Sequence, residues 1–149
     1  PTPIGADIQV AVGDERMKRW MPIRDALDTG ANVVVGSDWS VVPSVNPWLA
    51  METLVTRQKP GGSTEILGAQ ERISLTEAFR VFTDNAARLM GHRDLVGAIE
   101  VGLHADLIIT ATNPFTMPIT ELHDMKVKMT FIDGEKVYDA ASPPPLTAN

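Results

Sequence analysis

Gly30-Ala31-Asn32-Val33-Val34-Val35-Gly36-Ser37-Asp38-Trp39 is the stretch that decides the fold. Three consecutive valines with no polar alternation are the pattern of a strand covered on both faces, as in a parallel sheet flanked by helices. Just upstream, Pro22 suits a first helical position, and Ile23, Ala26 and Leu27 share one face before Gly30 stops the helix. Helix, glycine and buried strand make one α/β step. Asp38 then falls at the carboxyl end of the strand, where α/β barrels and open α/β sheets bind ligands and place catalytic side chains. An aspartate is ionised at neutral pH, so it can bind a divalent metal or accept a proton. The rival reading of Asp38 is a capping role in the turn that follows.

Further out, Asn46-Pro47 supplies an N-cap and a first-turn proline for a helix marked by Trp48, Met51 and Val55 and ending near Gln58. Pro60-Gly61-Gly62-Ser63 breaks it. Ser74-Leu75-Thr76-Glu77 reads as a capping box, and Phe79, Phe82, Ala86 and Leu89 predict one helix to Gly91 with the two phenylalanines in the core. From Gly97 the period changes. Ala105 to Ala111 reads as a strand, Val127, Met129 and Phe131 alternate with polar residues, and Asp133-Gly134 predicts a tight hairpin with Lys136 to Tyr138 returning. Residues 1–19 show no clear period, although Asp14 to Arg19 can form a short helix. Pro143-Pro144-Pro145 reads as part of a loose tail.

The composition is that of a globular protein: 149 residues, 44% hydrophobic and 21% charged. A net charge of −6 opposes binding to nucleic acid or to an anionic membrane, which reward clustered Lys and Arg. With no cysteine, any metal must be held by oxygen or nitrogen. No apolar run approaches the roughly 18 residues of a membrane span and no signal pattern opens the sequence, so a cytoplasmic location is expected. The chain opens at Pro1, which leads us to expect a piece of something longer.

Taken in order, Trp20-Met21-Pro22-Ile23-Arg24, Gly36-Ser37-Asp38-Trp39, Asn46-Pro47, Thr56-Arg57, Phe82-Thr83-Asp84-Asn85-Ala86-Ala87, Gly97-Ala98-Ile99-Glu100-Val101-Gly102, Ala105-Asp106-Leu107, Asn113-Pro114 and Asp133-Gly134 resemble the C-terminal section of amidohydrolase family 3, whose members include N-substituted formamide deformylases. The resemblance spans roughly residues 14–139. It implies an α/β fold in which residues 1–96 are the last β/α units of a (β/α)8 TIM barrel, residues 97–139 are part of a small composite β-sandwich, and residues 140–149 are a flexible tail. It also implies a metal-dependent hydrolase of non-peptide C–N bonds, such as N-acyl or formamide groups, using a divalent metal, expected to be zinc. Asp38 would map to the aspartate of barrel strand 8, which binds the metal and shuttles the proton of the hydrolytic water. Trp39 would line the substrate pocket, with packing under the barrel mouth as its alternative.

The family's other ligands are a His-X-His pair on strand 1, a lysine or acidic residue, and histidines on strands 5 and 6. None of those strands is in this sequence, and a whole barrel needs about 250 residues. The chain alone is therefore expected to be inactive and to bind no metal. His92, His104 and His123 read as solvated loop residues downstream of the barrel strands, and Asp106 as a turn-fixing aspartate. Arg16, Arg24 and Arg57 could meet a substrate anion, but pairing with Asp25, Asp28 or Glu52 is the commoner explanation. The expected partners are a small amide-like substrate and further copies of the chain. Two rivals stand beside this reading: a non-catalytic, self-associating module, and a cyclic amidohydrolase or deaminase of the same superfamily.

Overall fold

The computed structural model describes residues 3–142, and the expected Pro143–Pro145 tail lies outside them. Among the described residues six short α-helices come first: α1 Pro3–Val12, α2 Asp14–Met17, α3 Ile23–Asp28, α4 Pro47–Thr56, α5 Leu75–Phe82 and α6 Asp84–Leu89. Three strands follow, β1 Leu107–Thr110, β2 Val127–Ile132 and β3 Glu135–Asp139, in an antiparallel sheet of order β1-β2-β3. A 3-10 segment, Ile119–Asp124, connects β1 to β2. The molecule is thus a small α/β unit.

Several local readings hold. Asn46 Oδ1 accepts the Trp48 N–H at 3.0 Å, capping α4 behind its first-turn proline. Ser74 and Glu77 form the reciprocal capping box at the start of α5. Asp133 and Gly134 both take positive φ, 51° and 79°, the requirement of a tight hairpin turn between β2 and β3. Asp14–Met17 is indeed helical, whereas α1, in a stretch without apolar period, escaped the sequence reading.

Three expectations are corrected. Residues 31–39 form no strand: they run without a ladder partner among the described residues, and Val33, Val34 and Val35 are half-buried rather than enclosed. A strand is defined by its neighbours, and no other described segment pairs with this one. The helix predicted up to Gly91 is two helices, because Thr83 takes φ −125° and ψ −90°, outside the helical region. The break shifts the buried face, so Ala78, Val81 and Ala87 are enclosed while Phe79 and Phe82 pack half-buried at the margin. Phe79 meets Trp48 edge-on, with ring centroids 5.9 Å apart, and stacks on Phe115 at 5.3 Å.

The core is formed by Trp48, Met51 and Leu54 of α4, Ile73, Ala78 and Val81 around α5, and Leu122 and Met125 from the β1–β2 connection. The sheet contributes no side chain to that cluster. It is joined through the 3-10 segment, whose Leu122 is fully buried against α4 and α5.

Candidate functional site

Asp38 closes the extended segment that follows α3. Two amides hold the start of this segment: Asn85 Nδ2 donates to the Val33 carbonyl at 2.9 Å, and Asn32 Nδ2 donates to the Asn85 carbonyl at 3.0 Å. From Gly36 to Pro43 the chain is exposed. Asp38 has φ 54°, the left-handed region that Asp and Asn tolerate better than most side chains. Its carbonyl accepts the Val41 N–H at 2.8 Å, while the Trp39 N–H donates to Ser37 Oγ at 3.3 Å. The turn is therefore closed by backbone and serine, and no cation pairs with the Asp38 carboxylate among the described residues. Trp39 beside it is 66% exposed.

The fit to a metal centre fails within these residues. No group of three His, Asp or Glu side chains is placed to hold an ion among the described residues. His92 is exposed, as expected, and His104 Nδ1 lies 2.8 Å from Asp133 Oδ1 at the hairpin. Asp106 Oδ1 accepts the Asp133 N–H at 2.7 Å, the turn-fixing role expected of it. His123 requires a correction: it is not in a solvated loop but on the 3-10 segment, with Nδ1 2.7 Å from Glu52 Oε2. Asp38 thus belongs to no such ligand group among the described residues.

Two open clefts flank the molecule. One, of about 420 Å³, is bordered by Arg24, Asn32, Glu77, Arg80, Asn85 and Arg88 at the start of the extended segment, and the other, of about 310 Å³, by Lys136 to Asp139 of β3 and by Ser142. Neither includes Asp38 or Trp39.

Arg24 does pair with Asp28, as the sequence suggested, but its contact with Glu77 and the buried roles of Arg57 and Glu71 were not foreseen. Arg24 donates to Glu77 Oε1 at 2.8 Å, with Asp28 3.1 Å from its Nε. That hydrogen bond, with those from Ser74, holds the Glu77 carboxyl down to about 2. Arg57 does not pair with Glu52. It ends α4 in the left-handed conformation and lies buried, donating to the carbonyls of Leu67 (2.9 Å), Met21 (3.4 Å) and Trp20. Burial pulls its pKa down and Glu71 offsets this in part. Glu71, 1% exposed, accepts the N–H groups of Arg24 and Asp25 at 3.0 and 3.2 Å. Glu52 had a legible signal: with Trp48, Met51 and Val55 it completes the i, i+3, i+4, i+7 stripe, so a carboxylate stood on the buried face.

Comparison with known proteins bears on what this frame belongs to. An N-substituted formamide deformylase from Arthrobacter pascens is 31% identical over 118 residues, which is 79% of this chain and 21% of that protein. Protein LONG AFTER FAR-RED 3 of Arabidopsis thaliana is 30% identical over 128 residues, covering 85% of the chain and 21% of its own length. The chain therefore spans about a fifth of these relatives. The crystal structure of an amidohydrolase from Thermotoga maritima superposes with a TM-score of 0.59 at 23% identity, over 83% of this chain and 26% of that one, a likeness of fold. The amidohydrolase family pattern itself matches residues 3–138, and on that match the chain belongs to the amidohydrolase family.

Proposed function

We propose that this chain is the C-terminal part of a metal-dependent amidohydrolase that cleaves non-peptide C–N bonds in small amide-like substrates, with Asp38 as its proton-transfer residue. In this reading residues 1–96 are the last β/α units of a (β/α)8 barrel, residues 97–139 belong to a small β-sandwich, and Ala31 to Asp38 is the last barrel strand. The observation that carries the proposal is the state of Asp38: a carboxylate at the end of an extended valine segment, exposed and not engaged by any neighbouring cation among the described residues. Such a carboxylate can take the proton of an attacking water and return it to the leaving nitrogen. Trp39, exposed beside it, would form part of the substrate wall. The divalent metal of the family, expected to be zinc, would need donors beyond the one carboxylate these residues supply. The 31% identity to a formamide deformylase supports the choice of substrate class.

The test has two arms. The purified chain with added Zn²⁺ is expected to leave N-substituted formamides intact; turnover that Asp38→Asn abolishes would refute the need for further donors. In a complete protein carrying this chain, Asp38→Asn should lower turnover by roughly 10²–10⁴-fold. Asparagine is chosen because it also tolerates the left-handed φ, so a loss reads on the carboxylate rather than on the turn. Unchanged turnover would remove Asp38 from the chemistry.

A second reading rests on the half-buried Val33–Val35 segment, which pairs with no strand among the described residues. A non-catalytic module could cover that segment by pairing with another copy. Light scattering separates the readings, since a strict monomer at high concentration excludes the module.

A further inference from the structure

Glu52 is fully buried, and its contacts draw three distant stretches together. Oε1 accepts the Gly61 N–H at 2.7 Å; Oε2 accepts the His123 N–H at 2.8 Å and stands 2.7 Å from His123 Nδ1. The carboxylate comes from α4, the glycine from the turn that follows it, and the histidine from the 3-10 segment between β1 and β2. An ionised carboxylate taken out of water is costly unless it is paired. Two amides give partial charges, and only the His123 ring can supply a full one. The nearest lysine of the turn, Lys59, instead lies 4.0 Å from Glu65.

The surroundings of the ring favour the charged form. From its own segment Asp124 Oδ2 is 3.6 Å from Nε2, and the Thr120 backbone adds a further hydrogen bond. The turn presents uncharged Gly61, and Asn46 at the start of α4 presents an amide that donates to the His123 carbonyl at 3.0 Å. Glu52 and Asp124 are thus the charged groups facing the ring, and both are carboxylates.

We propose that Glu52 and His123 form a proton-controlled latch. It fastens the Ile119–Asp124 segment and the turn around Gly61 to α4 while the imidazole is charged, and it loosens as the ring discharges. The segment it holds carries fully buried Leu122 and joins the sheet to the core, so the latch governs how firmly the sheet is anchored. The hydrogen bond to Glu52 raises the His123 pKa above its ordinary value. The latch is therefore fully fastened below the unperturbed imidazole value of about 6.5 and released as pH rises through the higher folded value.

NMR on the whole chain tests this by following the ring signals of His123 and the exchange of the Gly61 and His123 amides with pH. The expected results are a His123 midpoint above about 6.5, a lower midpoint in Glu52→Gln, and a several-fold loss of amide protection, beyond the intrinsic pH effect, as the ring discharges. A midpoint at or below the ordinary value, or protection that does not change through it, overturns the latch. Should Glu52→Gln fail to fold, His123→Gln decides. Its amide can still donate to Glu52 but does not titrate, so the step in protection should vanish; a step that persists in the same window refutes the proposal.

Discussion

Removing the Glu71 carboxylate should cost this chain a large share of its stability. Helix α3 starts after Pro22, which has no side-chain acceptor for its free N–H groups, and Glu71 does that work from 47 residues away. The Arg24 and Asp25 amides at 3.0 and 3.2 Å are bonds to a charged acceptor, each contributing about 1.5–3 kcal/mol. Both sit where water can partly replace the acceptor, which argues for the low end, about 3 kcal/mol for the pair. Loss of the charge also leaves Arg57, 8% exposed, without the carboxylate that offsets its burial. Stranding a buried partner costs about 3–5 kcal/mol when the contact is direct. Here the two act across a longer gap, so Glu71→Ala is expected to total about 3–5 kcal/mol rather than the full sum. Glu71→Gln retains an acceptor oxygen and should lose about half as much, because neutral bonds are worth about 0.5–1.5 kcal/mol each. Urea unfolding followed by circular dichroism measures this as a midpoint shift at constant slope. A cost for Glu71→Ala below about 1 kcal/mol would refute the capping argument. Equal costs for Ala and Gln would show that charge, not the acceptor, is what α3 requires.

Leu122→Ala should destabilise by about 3–5 kcal/mol, since the side chain is fully enclosed and its removal leaves a cavity. Ile109→Ala on the sheet, 44% exposed, should cost only about 1 kcal/mol; equal losses in thermal unfolding would contradict a core that excludes the sheet. Glu77 gives a pH signature. Its folded value of about 2 lies below the ordinary carboxylate value of 4.5, so its contribution is complete above the latter and disappears as pH falls toward the former. Urea midpoints in that interval should fall in the native chain and fall less in Arg24→Gln; identical slopes would detach Glu77 from Arg24.

What the sequence made legible was chemistry held in neighbouring residues. Asn46-Pro47, the Ser74 to Glu77 box and Asp133-Gly134 each satisfy their backbone within four residues, so no distant partner can overrule them. Glu71 and Glu52 act on groups 47 and 71 residues away, and their type alone gives no clue to the partner. The broken helix lies between these cases. Phe79, Phe82, Ala86 and Leu89 keep one phase in sequence, but Thr83 departs from helical dihedrals and the phase is reset, leaving Leu89 66% exposed. The family motifs were legible as well, and the match over residues 3–138 covers them.

The extended segment shows why reading and structure parted there, and what that means for Asp38. Three successive valines in an exposed loop would keep apolar surface in water, each forgoing roughly the 1.5–3 kcal/mol that full burial of such a side chain gives. With Val33, Val34 and Val35 only half-buried, the described residues realise part of that amount. The remainder is available to whatever covers both faces and pairs both edges, and a parallel sheet does both. Pairing would also fix the segment and leave Asp38, already turned into the left-handed region, at its carboxyl end. A carboxylate there would be held by a rigid strand yet free of structural duties, the combination that a proton-transferring group needs. On the proposed reading, the strand pattern and the uncommitted aspartate would both follow from one requirement, a covered strand that ends at a reactive carboxylate.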